Sequence, residues 1–215
     1  MIKDIYIKPL PSYQCQYASR DKVSFYISQT GKLNDPLYKS FGFDTESDYD
    51  FWSHRLCGIA CLKMVLDAYN IQTSMALLTK EAIDLKGYIL YEDNVFVDKG
   101  WYYQPLIEVM NKYGFTGDIF QTNDLNMLKY YLDNNHYIIA SVHPQVIRLE
   151  IEESIEKGGH LVLLVGYRSN DDVLEGFYIN NPSGIDINKQ EGVFIPINTF
   201  IKAFAGKGFL LKKEM

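Results

Sequence analysis

Arg55-Leu56-Cys57-Gly58-Ile59-Ala60-Cys61-Leu62-Lys63-Met64-Val65-Leu66 is the stretch on which the reading of this chain turns. A segment of aromatic and polar residues runs straight into apolar positions Ala60, Leu62, Val65, Leu66 and Tyr69 at helical spacing, with Asn70 as a stop. The helix therefore starts close to Cys57 and is buried over much of its surface. Unpaired N–H groups in a first turn, together with the macrodipole, favour a thiolate and draw a cysteine below its reference pKa of about 8.5. A free cysteine more commonly packs as a small hydrophobe, so the helix start by itself makes Cys57 a candidate nucleophile and nothing further.

A partner is encoded a hundred residues on. Gly158-Gly159-His160-Leu161-Val162-Leu163-Leu164-Val165-Gly166-Tyr167 and Gly176-Phe177-Tyr178-Ile179-Asn180-Asn181-Pro182 are two apolar runs around Arg168-Ser169-Asn170-Asp171-Asp172, the pattern of a β-hairpin. A turn centred on Asn170 and Asp171 sets His160 opposite Asn181, with Asn180 as the rival if the loop shifts the register. Cysteine catalysis needs a thiolate, a base to carry its proton, and a third group that fixes the base's ring and tautomer. Cys57, His160 and an asparagine supply the three in that order, although a lone histidine at a strand end is more often structural. His136 and His143 flank a strand, and nothing ties them to chemistry.

Outward from these, the spacing predicts a helix over 74–85 capped by Thr73 or Ser74 and closed by Gly87. A further helix over 105–113 has Pro105 in its first turn and Gly114 as its stop. Residues 88–103 read as an aromatic-rich loop used for packing, with a binding platform as the alternative. A capped amphipathic helix within 121–135 feeds the buried strand Tyr137-Ile138-Ile139-Ala140-Ser141-Val142, and 147–156 is a mixed charged stretch. Before Cys57, the alternations Ile5-Tyr6-Ile7 and Val23-Ser24-Phe25-Tyr26-Ile27 suggest one or two strands and then a long loop. The acidic run Asp44-Thr45-Glu46-Ser47-Asp48-Tyr49-Asp50 reads as a solvated face, with a lid or cleft rim as the alternative.

The 215 residues, 47% hydrophobic and 22% charged, fit one domain of 51–215 with residues 1–50 as an N-terminal extension packed on it. A net charge of −6 argues against a nucleic-acid partner, which needs a basic face. Neither a secretory leader nor a membrane span is legible, and three cysteines cannot all pair, so the expected setting is reduced and cytoplasmic. A metal site from His54, Cys57, Cys61 and His160 lacks a second ligand pair, and neither metal nor cofactor is expected.

Several of these stretches together resemble the bacteriocin-processing, double-glycine cysteine peptidases. They are the Cys57 to Leu66 run, the 124–132 helix with Tyr137-Ile138-Ile139-Ala140, the Gly159 to Tyr167 run, and Ile179-Asn180-Asn181-Pro182. The likeness covers about residues 50–212, including the closing Ile195-Pro196-Ile197-Asn198-Thr199-Phe200. It implies a stand-alone bacterial relative with a papain-like α+β fold, in which an N-terminal helical part carrying the nucleophile helix packs on an antiparallel β-sheet. It implies Cys57 as nucleophile, His160 as base, and Asn181 where the family usually has Asp before Pro. The family's usual Gln six residues before the cysteine is Phe51 here, which leaves the oxyanion to the Cys57 N–H and a side chain from Ser53 or His54. The expected function is a cysteine peptidase that cleaves a peptide or protein substrate through a Cys-His-Asn triad and a thioester acyl-enzyme. The alternative is a catalytically impaired papain-like domain that binds peptide without cleaving it.

Overall fold

The computed structural model describes residues 1–93, 95–146 and 157–214, so the charged stretch 147–156 lies outside the described residues. Its elements, in chain order, begin with β1 (Ile2–Tyr6), α1 (Val23–Tyr26), α2 (Glu46–Ser53), α3 (Cys57–Ala68) and α4 (Met75–Asp84). A small hairpin of β2 (Tyr91–Glu92) and β3 (Val95–Phe96) precedes α5 (Tyr103–Asn111), β4 (Phe115–Gln121) and α6 (Leu125–Asp133). The chain closes with β5 (Tyr137–Val142), β6 (His160–Asn170), β7 (Val173–Asn180), β8 (Val193–Pro196), α7 (Ile197–Ala203) and β9 (Phe204–Lys213).

Seven of the strands form one antiparallel sheet in the order β4-β9-β5-β6-β7-β8, with β1 added to the far half of β6. The near-continuous apolar runs of β5 and β6 are explained by burial on both faces, because alternation is lost when neither face meets water. On one face Ile139, Leu161, Leu163 and Val165 join Ile59, Leu62 and Val65 of α3 and Leu106 of α5. On the other, Ile138, Ala140, Val162 and Leu164 join Leu128 and Leu132 of α6 and Phe200 of α7. The fold is thus α+β, with the Cys57 helix laid on β6. Among the described residues no helix is long and apolar enough to cross a membrane.

Local chemistry accounts for the helix ends. Ser74 accepts from the Leu77 N–H, Thr45 from Asp48 and Asp124 from Asn126, so each side chain pairs a first-turn N–H that has no carbonyl partner. The acidic run is accordingly the capped start of α2, a regular helix whose Tyr49 is fully buried. Val23 to Tyr26 forms a helical turn instead of a strand, with Val23 and Tyr26 buried on its inner side. Helix α5 starts two residues earlier than its proline suggests, and the aromatic loop contains the β2–β3 hairpin.

The N-terminal residues share the main core. Tyr13, Tyr17, Leu33 and Phe43 pack in one cluster with Leu56 and Leu62, and a division after residue 50 falls inside α2. Asp35 ties this region together by accepting from the Ser19 N–H (3.0 Å), Ser19 Oγ (2.6 Å), the Leu37 N–H (3.0 Å) and the Tyr49 hydroxyl (2.5 Å).

Candidate active site

Cys57 is the first residue of α3, and its N-cap Leu56 offers no side chain to the free N–H groups. The helix end presses closely on β6 because residue 58 is glycine. A Cβ there would lie 3.0 Å from Leu161 Cδ1 and 3.2 Å from side chains of Leu106 and Trp101. Burial pushes the Cys57 thiol above its ordinary pKa, while the N–H groups of Leu161, Gly58 and Cys57 itself pull the other way. Cys15 and Cys61 are buried free thiols; burial raises Cys15 to about 11 and Cys61 well above the usual value.

His160 opens β6 next to that Leu161 N–H, and its Nε2 lies 2.8 Å from Asn181 Oδ1. The Ser183 N–H donates to the same Oδ1 at 3.2 Å, which fixes the oxygen end of the amide toward the imidazole. An oxygen can only accept, so Nε2 carries the ring proton and Nδ1 keeps the lone pair. The Ser183 hydroxyl, 3.2 Å from Nε2, is a second acceptor for that proton. Burial drives the His160 pKa down to about 4, opposed by the Asn181 hydrogen bond. Both shifts favour the uncharged forms of the thiol and the imidazole.

The hairpin register differs from the sequence expectation. The turn is Asp171-Asp172, both at positive φ, and Leu163 faces Asn180, a displacement of two residues. Two-residue hairpin loops favour positive φ at both central positions, which Asp tolerates, so the turn sits one residue later than the Asn170–Asp171 placement. Asn181 then lies just past the end of β7 and meets His160 through the bend of the chain there. Asn180 is directed elsewhere: its Oδ1 accepts from the Gly192 N–H and its Nδ2 faces Met64 Sδ.

Cys57, His160 and His54 all line one cleft of about 580 Å³. Tyr88, Trp101 and Tyr102 also line it, and this wall is latched by Arg55, which pairs with Asp98 at 2.7 Å while the Tyr88 hydroxyl donates to the same carboxylate. Ser53 does not reach the cleft: it is fully buried and its hydroxyl donates to the Asp50 carbonyl. His54 Nδ1 is 3.0 Å from the Tyr17 hydroxyl, and its Nε2 is buried with no partner among the described residues. Phe51 lies under the Arg55 guanidinium, 4.1 Å from its carbon. No group of three or more metal-ligating side chains gathers among the described residues.

Sequence reasoning missed Ser183 and the wall latch, and it missed the contacts of the N-terminal segment with this region. Ser183 follows Asn181-Pro182 directly, so a correct register would have found it. The latch and the N-terminal contacts join residues far apart in sequence and have no periodic signal.

The model of the peptidase C39-like family matches residues 28–209 of this chain. No curated protein matches it. Among solved structures, a C39-like peptidase from Bacillus anthracis is 15% identical, with 99% of this chain and 98% of that one covered at a TM-score of 0.57. The peptidase domain of Streptococcus ComA, a bifunctional ABC transporter involved in quorum sensing, is 19% identical, covering 74% of this chain and 93% of that one at 0.51. At such identities these likenesses show the fold alone.

Proposed function

Since this chain belongs to the peptidase C39-like family, we propose that it is a cysteine peptidase with Cys57 as nucleophile, His160 as general base and Asn181 as the residue that orients the imidazole. The observation that carries the reading is the bond from His160 Nε2 to Asn181 Oδ1, on a histidine that shares its cleft with Cys57. With the proton on Nε2, Nδ1 is the atom free to take the thiol proton. Cys57 Sγ attacks the substrate carbonyl carbon as its proton passes to His160. The tetrahedral intermediate collapses to a thioester, and the imidazolium returns the proton to the departing amine. Water, deprotonated by the same imidazole, then attacks the thioester, releasing a carboxylic acid and the Cys57 thiol. The Cys57 backbone N–H at the helix start is the donor proposed for the oxyanion, since Ser53 is turned toward Asp50 and His54 has its Nδ1 on the Tyr17 hydroxyl and its Nε2 buried.

A reading as a peptide-binding domain without turnover is favoured by one observation, Phe51 standing where the resemblance calls for a glutamine, its ring covered by Arg55. Alkylation and turnover separate the two. At neutral pH iodoacetamide is expected to label Cys57 faster than Cys15 or Cys61, and His160→Ala to slow that labelling. Labelling of Cys57 at the rate of the buried thiols, or a rate indifferent to His160→Ala, removes the catalytic assignment. Fast, His160-dependent labelling with no Cys57-dependent cleavage of peptide or hydrolysis of p-nitrophenyl acetate selects the binding reading.

A further inference from the structure

Residues 13–20 lie outside the span matched by the family model, yet they hold both sides of the candidate site. On the histidine side, the Tyr13 hydroxyl donates to the Asn181 carbonyl at 2.9 Å. The Gln16 N–H (2.9 Å) and the Cys15 thiol (3.2 Å) both donate to the Pro182 carbonyl. The Asn181 N–H is held at 2.6 Å by the Gln190 carbonyl, and Gln190 is itself pinned by the same segment. Its Oε1 accepts from Arg20 Nε (3.2 Å), and its Nε2 donates to the Arg20 carbonyl (2.8 Å). The N-terminal segment therefore reaches both backbone polar groups of Asn181, the carbonyl directly through Tyr13, beside the local Gly184 N–H at 3.2 Å, and the N–H through Gln190.

On the cysteine side, Gln16 Nε2 donates to the Ser53 carbonyl at 3.1 Å, the Tyr17 hydroxyl meets His54 Nδ1, and the Ala18 N–H donates to the Tyr49 hydroxyl. These partners lie in α2 and the turn that leads into Cys57. Gln16 thus bonds to both flanks, through its backbone to Pro182 and through its side chain to Ser53. Tyr13, Gln16 and Tyr17 are each less than a tenth exposed. Hydrogen bonds of this kind, shielded from water, hold geometry because a displaced donor has no solvent to replace its acceptor.

We propose that residues 13–20 are a strap that positions the active site, with Tyr13 the residue that seats Asn181 and, through it, orients His160. This rests on the triad reading above. Tyr13 touches no reacting atom; it acts through the Asn181 peptide. Tyr13→Phe removes the shorter of the two hydrogen bonds to the Asn181 carbonyl, leaving only the Gly184 N–H at 3.2 Å, and loosens the asparagine whose amide fixes the imidazole.

The test uses the full chain and iodoacetamide at neutral pH. Tyr13→Phe is expected to slow Cys57 alkylation about tenfold. In an Asn181→Ala background the same substitution is expected to change nothing further, because its route to His160 is already gone. Arg20→Ala, at a half-exposed side chain, loosens Gln190 and is expected to show the same dependence on Asn181 with a smaller effect. As a second measurement, the His160 Nε2–H proton in the NMR spectrum is expected to exchange with water faster in Tyr13→Phe than in the unaltered protein. Wild-type alkylation and exchange in Tyr13→Phe, or an equal slowing in the Asn181→Ala background, overturns the strap. If His160→Ala itself leaves alkylation unchanged, the triad reading falls and the strap with it. If His160→Ala slows it and Tyr13→Phe does not, the strap alone falls.

Discussion

Replacing His160 with Gln tests whether this imidazole is buried without charge, through the acid stability of the protein. Its pKa of about 4 in the folded chain compares with 6.5 for an ordinary histidine. Between those values the unfolded chain binds a proton that the folded one does not, so stability rises with pH across the window and is lost as pH falls from about 6.5 to 4. A gap of about 2.5 pH units, at about 1.4 kcal/mol each, makes the loss about 3 kcal/mol on going from pH 7 to pH 4. That is a large share of the stability of an ordinary domain. Urea unfolding of the wild type and His160→Gln at pH 7, 6, 5 and 4 measures it. His54 and His136, which burial also holds low, and the depressed carboxyls of Asp35 and Asp98 remain in both proteins and cancel in the difference. The wild type is expected to lose about 3 kcal/mol more than the variant over this range. Equal losses in the two proteins, or a His160 NMR titration near 6.5 or above, would refute the uncharged pair and indicate a thiolate–imidazolium pair.

Three further outcomes are expected. Asn181→Asp places an anion against His160 and is expected to raise its NMR titration midpoint by about 1–3 pH units, shrinking the acid loss of stability; an unmoved midpoint would show that the residue does not govern the imidazole. Asp35→Ala strips four hydrogen bonds from the N-terminal region and is expected to cost about 3 kcal/mol in urea unfolding at pH 7. Because those bonds outweigh burial and hold this carboxyl below its ordinary range, its contribution is present above the usual carboxylate pKa and fades as pH falls through the folded value, so the variant and wild type converge in acid. Gly58→Ala forces a Cβ against Leu161, Leu106 and Trp101, and is expected to cost about 1–3 kcal/mol by thermal or urea unfolding; a neutral result would mean the helix end can move off β6.

Sequence alone determined the elements whose signal is local. The Cys57 helix, the helices after Ser74 and Asp124, and the buried strands of Tyr137 and His160 follow from periodicity and capping side chains a few residues away. It also brought Cys57, His160 and Asn181 forward, because a hairpin sets its two ends near each other whatever the detail of its turn. Only the tertiary structure decided which asparagine meets the imidazole, since a turn placed one residue later displaced the pairing by two and left Asn180 on Gly192 and Met64. Only it placed residues 13–20 between Ser53 and Pro182. The physical reason is range. Periodicity and caps are set by neighbours along the chain, whereas those hydrogen bonds join residues up to 170 positions apart and exist only once the sheet and helices have packed.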